Sequence, residues 1–436
     1  MLHCALPASV DLLALHRRFP ERYPFLLQSV AAHPQAGRHD LLFAFPEDAI
    51  EARAGDGDCF AALDRAAAAL PRTDNPGLPF VGGWFLLAGY EAVRWVEPRL
   101  KLPPSPYRLP DALAVRCPAA IVIDRVAGTA LALSEDSPAQ LRQIEQDCAA
   151  LASCAPVPAG QQPIAIDEDD AGRFVDGVTR ILDYLHAGDV FQVNLSRRWT
   201  ARYREPVDAV ALYERLRRAN PAPFAGLACW RGSSVLSSSP ERLLELADGW
   251  AQTRPIAGTH ARDRAEDARD REQLIANLKE RAEHVMLIDL ERNDLGRIAV
   301  PGSVEVSELM TVESYAHVHH IVSNVRGRLR AGIGPGSALR AVFPGGTITG
   351  APKVRAMEVI AELEGEGRGP YTGAMGYLSR CGRLDTNILI RTLVVEGDTV
   401  SFRAGAGIVA DSKPQAELAE TRAKARGLLL ALGTPA

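Results

Sequence analysis

The sequence predicts an α+β protein with large antiparallel sheets. Short β-like runs follow one another, as between residues 224 and 246, rather than alternating strictly with helices as a parallel α/β sheet requires. No repeat of fixed period is present, which argues against a solenoid or propeller. At 436 residues, 47% of them hydrophobic, the chain can bury a large core as one domain or two.

Composition and charge exclude several classes of partner. The net charge of −5 gives no electrostatic basis for binding nucleic acid or an anionic membrane, and no apolar run approaches the length of a membrane span. Seven dispersed cysteines without a CxxC pair are typical of a reduced, cytoplasmic protein. Asp11 and the His16-Arg17-Arg18 run interrupt the apolar N-terminus, so no signal peptide is expected.

The first 154 residues are predicted to form an N-terminal subdomain. We expect strands over 41–45, 80–87, 119–124 and 129–134, then a helix over 138–152. A connector rich in Pro, Gly and Gln follows at 155–163 and separates this subdomain from a catalytic region, 165–436.

The catalytic region is predicted to hold the longer helices. We expect helices over 167–185, 208–219, about 264–290 and from near 412. Strands are expected over 190–200, 224–230, 234–238, 242–246, 303–306, 318–325, 373–378, 388–395 and 400–403.

A glycine-rich stretch before a helix is the central feature of this region. Residues 343–353 read Phe-Pro-Gly-Gly-Thr-Ile-Thr-Gly-Ala-Pro-Lys, with Pro352 where the first turn of a helix accepts proline. A phosphate-binding P-loop is excluded, because Ala351 and Pro352 stand where Lys and Ser/Thr are needed. Two interpretations stay open: a tight turn that starts a helix, or backbone N–H groups and hydroxyls that bind an anion other than a nucleotide phosphate.

Two predicted helices each carry glutamates three residues apart, Glu280 with Glu283 and Glu417 with Glu420. Residues at this spacing share a helix face. That face either points to solvent or carries the ligands of a metal ion. Mg²⁺ takes one or two carboxylates and completes its shell with substrate and water, so a metal bridging the two helices is one explanation. No set of Cys and His residues competes for a softer metal. Ser412-Lys-Pro-Gln415 is a capping-box pattern just before the second pair.

Ordered motifs between Phe191 and Ala425 resemble the chorismate-utilising enzymes, which include the first components of anthranilate and aminodeoxychorismate synthases, isochorismate synthase and salicylate synthase. The motifs are Phe191-Gln-Val-Asn-Leu195, Ser239-Pro-Glu-Arg242, Arg254-Pro-Ile-Ala-Gly-Thr259, Arg281-Ala-Glu-His-Val-Met286, Asp289-Leu-Glu-Arg-Asn-Asp-Leu-Gly-Arg297, His319-His-Ile-Val-Ser323, the 343–353 stretch, Ile390-Arg-Thr392, Gly405-Ala-Gly407 and Glu420-Thr-Arg-Ala-Lys424. The resemblance implies two large antiparallel sheets packed face to face, helices outside, and the active site in the cleft between the sheets' ends.

Within the family, the chain is most similar to the aminodeoxychorismate synthase branch. Gln-Val-Asn-Leu at 192–195 and Phe-Pro-Gly-Gly-Thr at 343–347 favour that branch, whereas anthranilate synthases more often have Gln-Val-Val-Leu and Phe-Pro-Ala-Gly-Thr. Ala257 departs from it, since many members of the branch carry at this position a lysine thought to attack the ring. Anthranilate synthase component I is therefore one alternative, and a non-catalytic ligand-sensing member of the fold is a second.

The resemblance also implies residue roles. Glu283 and Glu420 would hold Mg²⁺ on the ring carboxylate of chorismate, supported by Glu280 and Glu417. The other substrate-binding groups would be Tyr371, Arg391, Gly405 and Gly407 at the second carboxylate, with Lys424 and Thr259. The catalytic set would be Glu241 as general acid/base, His320 and Thr347 lining the ring, and Gln192 and Ala257 near the nucleophile.

Gln192 favours ammonia over water as the nucleophile. Isochorismate and salicylate synthases resemble this chain but have a lysine there, and glutamine cannot act as a base. The implied partner is a separate glutaminase chain (component II) in a heterodimer, because we recognise no catalytic Cys–His context; Cys229 lies in a predicted strand.

Two segments resemble those that form a tryptophan pocket in anthranilate synthases, at 26–29 and 220–224. Tryptophan could act there as an inhibitor or as a structural ligand, and a core pocket without ligand is the third interpretation.

Overall fold

The structure is a computed structural model that describes residues 1–30, 37–74, 77–151, 160–261, 278–314 and 318–434. For residues 257–261, 278–280, 314, 318 and 319 it describes the backbone alone. The fold is α+β with two large antiparallel sheets, as the sequence predicted.

The strands lie mostly in consecutive runs. In chain order they are β1 (Leu2–Leu6), β2 (Phe25–Gln28), β3 (His39–Ala44), β4 (Ala49–Ala52), β5 (Gly83–Ala88), β6 (Ala112–Cys117), β7 (Ala119–Asp124), β8 (Thr129–Ser134), β9 (Ala165–Glu168), β10 (Gln192–Arg202), β11 (Phe224–Trp230), β12 (Ser233–Ser239), β13 (Arg242–Ala247), β14 (Trp250–Arg254), β15 (Ile256–Ala261), β16 (Glu305–Ser314), β17 (Val318–Arg328), β18 (Gly350–Ala351), β19 (Ala374–Ser379), β20 (Leu384–Ile388), β21 (Thr392–Glu396) and β22 (Thr399–Ile408).

The helices lie between groups of strands. They are α1 (Leu12–Arg18), α2 (Cys59–Ala68), α3 (Val93–Val96), α4 (Pro138–Ala150), α5 (Ala171–His186), α6 (Ala209–Ala219), α7 (Leu278–Gly296), α8 (Pro335–Val342), α9 (Lys353–Glu364) and α10 (Pro414–Leu432). Asp170 and Asp208 cap α5 and α6 by accepting hydrogen bonds from first-turn N–H groups, the role for which short acidic side chains are favoured.

Both sheets combine strands from the two ends of the chain. In the described part, the first sheet has 12 strands in the order β1-β8-β7-β3-β2-β11-β12-β21-β22-β10-β18, with β9 also on β10. The second has 10 strands in the order β15-β17-β14-β13-β20-β19-β5-β6-β4, with β16 also on β17. The boundary between 1–154 and 165–436 stays a prediction, although strands from both sides of it share each sheet.

Aromatic side chains join the two sheets face to face. The ring of Phe25 on β2 stacks on that of Phe85 on β5 with centroids 4.0 Å apart, and Phe43 on β3 packs edge-on against Phe85. The opposite face of the first sheet is covered by α1, α4, α6 and α10, which share a buried apolar cluster with it. The implied arrangement of packed sheets with helices outside is therefore the one found.

Several predicted elements differ from the structure for local reasons. The helix expected from Asp167 begins at Ala171, because residues 165–168 pair with β10 as a strand. The strand expected over 388–395 is broken before β21, since Arg391 adopts a left-handed conformation with φ of 51°. The capping box at Ser412 is wrong: Lys413 precedes the helix, and Ser412 Oγ accepts a hydrogen bond from the N–H of Val409.

The apolar residues before the glycine-rich stretch end a helix, α8, that the sequence did not reveal. The long helix expected over 264–290 is seen from Leu278 to Gly296, and the start expected for it lies outside the described residues.

Candidate active site

Glu241, between β12 and β13, is the most perturbed of the predicted catalytic groups. Its side chain is buried, accepts a hydrogen bond from Thr347 Oγ1 at 2.8 Å, and also accepts one from the backbone N–H of Ile256. Burial raises the pKa of Glu241, the bonds from Thr347 and Ile256 oppose this rise and the charge of Glu291 adds to it, so that the pKa lies at about 8. The carboxyl group is therefore protonated at neutral pH and can donate a proton to a leaving group.

The glycine-rich stretch provides the partner of Glu241. Residues 346–348 form a short 3₁₀ turn, in which Thr347 faces Glu241 and the N–H of Gly346 donates to Glu291. The hydroxyl of Thr349 donates to the carbonyl of Gly345 at 2.8 Å. These groups, which the sequence suggested as anion ligands, are thus bonded within the protein: Thr347 and the N–H of Gly346 to glutamates, and Thr349 to a backbone carbonyl.

Gly350 allows this stretch to lie against β10. Its φ is 140°, and a Cβ atom placed on it would be 2.1 Å from the carbonyl oxygen of Gln192. Only glycine tolerates both constraints. Gly350 and Ala351 form β18, which pairs with Val193 and Gln192.

A buried acidic cluster that sequence reasoning missed lies behind Glu241. Glu291 and Asp294 on α7 are 5% and 1% exposed, and Asp294 is paired with Lys353 at the start of α9. Burial raises the pKa of both carboxyl groups, repulsion from Asp294 raises that of Glu291 further, and Lys353 opposes both shifts. Their i, i+3 spacing was the available signal, the same pattern that drew attention to the other glutamate pairs.

Gln192 and Glu283 meet at the end of β10. Gln192 Nε2 donates to Glu283 Oε1 at 3.1 Å, so the nucleophile-side residue and a predicted metal ligand lie side by side. Gly407 on β22 pairs with Asn194, and a Cβ atom on it would lie 2.5 Å from Gln192 Nε2 and 3.6 Å from Glu283 Oε1. The glycine therefore makes room for this pair.

Glu420 approaches the same segment of β22 from α10. Lys424 Nζ lies 2.7 Å from Glu420 Oε1, one helical turn away, and donates to the carbonyl of Gly405 at 3.1 Å. Glu417, on the same helix, is buried at 7% exposure. Of Glu280 only the backbone in α7 is described.

The residues present fit a magnesium ion that takes few protein ligands. Glu283 abuts Gly407, and Glu420 is tied through Lys424 to Gly405, so both carboxylates border one short segment of backbone. Among the described side chains, no group of three His, Cys, Asp or Glu residues is arranged to hold a metal. This disfavours a closed all-protein site but not Mg²⁺, which keeps waters and substrate oxygens in its shell.

Tyr371 and Arg391 lie on adjoining loops. The N–H of Thr372 donates to the carbonyl of Leu389 at 2.8 Å, and a Cβ atom on Gly405 would lie 2.8 Å from the Tyr371 hydroxyl. Tyr371 therefore lies against Gly405, and its role at the substrate carboxylate stays a prediction. Arg391 Nη1 makes a long contact of 3.5 Å with Asn220 Oδ1, and burial lowers the pKa of its guanidinium. A carboxylate ligand would compensate this buried charge.

Strand pairing in the second sheet brings together the remaining predicted residues. Thr259 on β15 lies opposite His320 on β17, and Ala257 lies opposite Ile321. His320 is 2% exposed, and the side chains of Ala257 and Thr259 lie outside the described atoms. Since Ile256 bonds to Glu241, the backbone at Ala257 is next to the predicted general acid.

A buried ion network under Gly405 was also missed by sequence reasoning. Glu364 on α9 accepts from Arg368 Nη2 at 2.6 Å, Arg403 Nη2 at 3.1 Å and Ser196 Oγ at 2.8 Å. Arg368 in turn donates to the carbonyl of Asn194 at 2.7 Å. No motif marks these residues, since one arginine among many predicts a surface position.

The segments compared with a tryptophan pocket are adjacent. The N–H of Val30 donates to the carbonyl of Ala222 at 3.1 Å, β2 pairs with β11, and the N–H of Ser29 donates to Asp40 at 2.9 Å. The juxtaposition fits the expectation, while ligand binding stays a prediction.

A cysteine of the first sheet and a histidine of α1 lie close together, where no catalytic Cys–His context was expected. Cys229 Sγ lies 3.6 Å from His16 Nε2, and His16 Nδ1 is 2.6 Å from the carbonyl of Tyr23. Burial raises the pKa of the Cys229 thiol to about 11 and lowers that of His16. Both groups are neutral, so the pair lacks the thiolate that a glutaminase nucleophile needs.

Comparison with known proteins places these features in a family. Residues 24–430 match the family described as chorismate binding enzyme. Aminodeoxychorismate synthase component 1 of Klebsiella aerogenes is 39% identical, over 96% of this chain and 92% of the relative. Anthranilate synthase component 1 of a Synechocystis species is 38% identical, over 94% of this chain and 91% of the relative.

A solved structure agrees with both comparisons. Anthranilate synthase component I of Streptococcus pneumoniae superposes with a TM-score of 0.82 at 32% identity, covering 91% of this chain and 92% of that one. Within the described ranges, no helix is both long enough and apolar enough to cross a membrane. With the family match over residues 24–430 and relatives of 38–39% identity along nearly the whole length, the chain belongs to the chorismate binding enzymes.

Proposed function

We propose that this protein is the first component of an aminodeoxychorismate synthase, which replaces the C4 hydroxyl of chorismate with ammonia to give 4-amino-4-deoxychorismate for 4-aminobenzoate and folate synthesis. The observation that carries the proposal is Glu241, buried, bonded to Thr347 and with its pKa raised to about 8. Hydroxide is a poor leaving group, and a carboxylic acid that stays protonated at neutral pH removes this obstacle.

The reaction balances with the groups at hand. Glu241 gives its proton to the C4 oxygen, the C4–O bond breaks, and the oxygen leaves as water. Ammonia supplies the new C–N bond and loses one proton, which restores Glu241. Tyr371, Arg391 and the backbone at Gly405 and Gly407 hold the enolpyruvyl carboxylate, and His320 and Thr347 bound the ring.

Glu283 and Glu420 would hold Mg²⁺, with Glu280 and Glu417 supporting them. The ion would supply positive charge to fix the ring carboxylate of chorismate, which suits a hard cation with oxygen ligands. Lys424, between Glu420 and Gly405, would add a second positive group on that side.

A separate glutaminase subunit would deliver the ammonia in a heterodimer. Two relatives of this chain are named as first components of such enzymes, and the neutral Cys229–His16 pair offers no glutaminase nucleophile within the described chain.

Anthranilate synthase component I is the second candidate. Ala257 favours it, since Pro-Ile-Ala-Gly-Thr is the anthranilate synthase sequence and alanine cannot form a covalent adduct with the ring. Relatives of both names match at similar identity. We place C4 amination first because the Gln-Val-Asn-Leu and Phe-Pro-Gly-Gly-Thr motifs around the ring belong to that branch.

Product identity tests the proposal. The purified protein is incubated with chorismate, Mg²⁺ and an ammonium salt, and the products are separated. A product that keeps its enolpyruvyl group and yields 4-aminobenzoate with a separate lyase supports C4 amination. Fluorescent anthranilate with stoichiometric pyruvate would establish the second candidate instead, and unchanged chorismate would indicate a non-catalytic binding protein.

A further inference from the structure

Two amide oxygens on β10 are buried without a hydrogen-bond partner. Gln192 and Asn194 are 2% and 8% exposed, and neither Gln192 Oε1 nor Asn194 Oδ1 has a partner. A buried carbonyl oxygen left unpaired costs about 1–3 kcal/mol. Two such atoms at alternate positions of one strand lie on the same face of the sheet, so the cost is concentrated at one place.

The next residue along this face has its hydrogen bonds made. Ser196, the next residue on the face, bonds to Glu364 and Arg403. The backbone of Asn194 is fixed as well, because its N–H donates to Thr349 at 2.8 Å and its carbonyl accepts from Arg368.

The orientation of the Gln192 amide follows from its neighbour. A carboxylate only accepts, so the atom of Gln192 that faces Glu283 at 3.1 Å must be the NH₂ group. The oxygen is therefore the unpaired atom. On the facing strand, a Cβ atom on Gly405 would lie 2.7 Å from Asn194 Oδ1. The glycines thus let both amides lie over β22, at the segment where the substrate carboxylate is expected.

We propose that Gln192 Oε1 and Asn194 Oδ1 are the acceptors of an ammonia-binding site, and that Asn194 is a specificity-determining residue that positions the nucleophile. This inference rests on the proposed amination and holds for attack at C4 or C2. Two N–H groups of ammonia bond to the two oxygens, and its lone pair is left for the ring carbon.

Chorismate has no spare hydrogen-bond donor for these two oxygens. Its carboxylates and ether oxygen can only accept hydrogen bonds, and its hydroxyl is the leaving group that must reach Glu241. Neutral amides also remain acceptors throughout the working pH range, because neither takes up a proton. A small donor with several N–H groups is the ligand that this pair of oxygens selects.

The test separates the two Michaelis constants. For wild type and Asn194→Val, rates are measured with ammonium varied at saturating chorismate, and with chorismate varied at saturating ammonium. We expect the KM for ammonia to rise at least tenfold in the variant and the KM for chorismate to stay within twofold. An unchanged KM for ammonia, or a rise confined to chorismate, would overturn the inference.

Asn324→Val is the matched control. Asn324 is 7% exposed in the other sheet, and its amide donates to Ser307 Oγ at 2.8 Å and Gln252 Oε1 at 3.3 Å. Asn324→Val should lower the unfolding midpoint and keep both KM values, whereas Asn194→Val removes an unpaired acceptor and should not lower the midpoint. A wild type that consumes no ammonia would overturn the proposed function and this inference together. If the wild type aminates chorismate and the KM values of Asn194→Val are unchanged, this inference alone would be overturned.

Discussion

Thr347 Oγ1 donates a hydrogen bond of 2.8 Å to Glu241 Oε1, and this contact joins the glycine-rich stretch to the proposed proton donor. The bond favours the ionised carboxylate, while burial and the charge of Glu291 favour the acid. Burial dominates, so the pKa of Glu241 lies at about 8. Activity that needs the protonated acid should fall as the pH rises through this value.

The first prediction is that Glu241→Gln lowers kcat by about 10²–10⁴, because the amide keeps the shape and cannot transfer a proton. Wild-type kcat/KM should decline above about pH 8. Stability gives an independent check. The pKa of Glu241 is higher in the folded protein than its unfolded value near 4.5. The stability that the neutral Glu241 contributes is therefore fully present below about pH 4.5 and is lost as the pH rises through about 8. The Gln variant should therefore gain in thermal midpoint over wild type as the pH rises from about 4.5 to about 8. If the thermal midpoints of wild type and the Gln variant change with pH in parallel, the raised pKa assigned to Glu241 is contradicted.

Two substitutions should move the basic limb of the pH profile in opposite directions. Thr347→Val removes the hydrogen bond that favours the carboxylate of Glu241, so the basic limb should shift to higher pH. Thr347→Ser keeps the hydroxyl and this hydrogen bond, so its basic limb should stay where it is in wild type. Glu291→Gln removes a negative charge and should shift the limb to lower pH. The measurement is kcat/KM against pH for the four proteins, and shifts of the same sign would refute the electrostatic account.

The dependence of activity on Mg²⁺ should require Glu283 and Glu420. Glu283→Gln or Glu420→Gln should abolish turnover with little change in the unfolding midpoint, because each removes a charged ligand at the edge of the site. Calorimetric titration with Mg²⁺ in the presence of chorismate should show weakened binding in both. Glu358→Gln, on the exposed side of α9, serves as control and should bind Mg²⁺ normally. Activity that persists in EDTA would rule out the metal.

Glu364→Gln should be strongly destabilising. Burial opposes ionisation of Glu364, and Arg368 and Arg403 outweigh it, which holds the pKa of the carboxyl below its usual value. Removing the charge leaves buried Arg368 without its counter-ion and Arg403 with only the longer contact of 3.5 Å to Glu366, a loss of about 3–5 kcal/mol. Guanidinium unfolding measures it, with exposed Glu362→Gln as control. A loss below about 1 kcal/mol would show that the network is solvated.

Tryptophan should bind between the segments around Ser29 and Ala222. Calorimetry on ligand-free protein should give heat with L-tryptophan and none with D-tryptophan, because a pocket of fixed shape distinguishes the two. If neither isomer gives heat, both the inhibitory and the structural versions fail.

The sequence predicted strands best where period-2 patterns are bounded by turn residues. Strands β7, β8 and β11 have the predicted bounds. The sequence-based assignment was wrong where tertiary contacts determine the secondary structure. Residues 165–168 form a strand only because they pair with the edge of β10. Arg391 interrupts a predicted strand because its backbone is left-handed.

For the site, motifs located Glu241 and Thr347, but not the Glu291–Asp294 cluster or the Glu364–Arg368–Arg403 network. Charged residues are usually exposed, so their burial follows from packing that no local pattern records. The roles assigned to the ligand-binding residues stay predictions.

The shared sheets bear on how the chain is synthesised. β2 lies between β3 and β11, and β5 lies between β6 and β19. When residues 1–150 have left the ribosome, each of these strands still lacks one neighbour, and β19 emerges only after more than half of the remaining chain. Unpaired edges of this kind recruit strands from other molecules. The nascent protein is therefore expected to depend on chaperones until its last third is made, and a ribosome stalled before residue 374 should yield an aggregation-prone product.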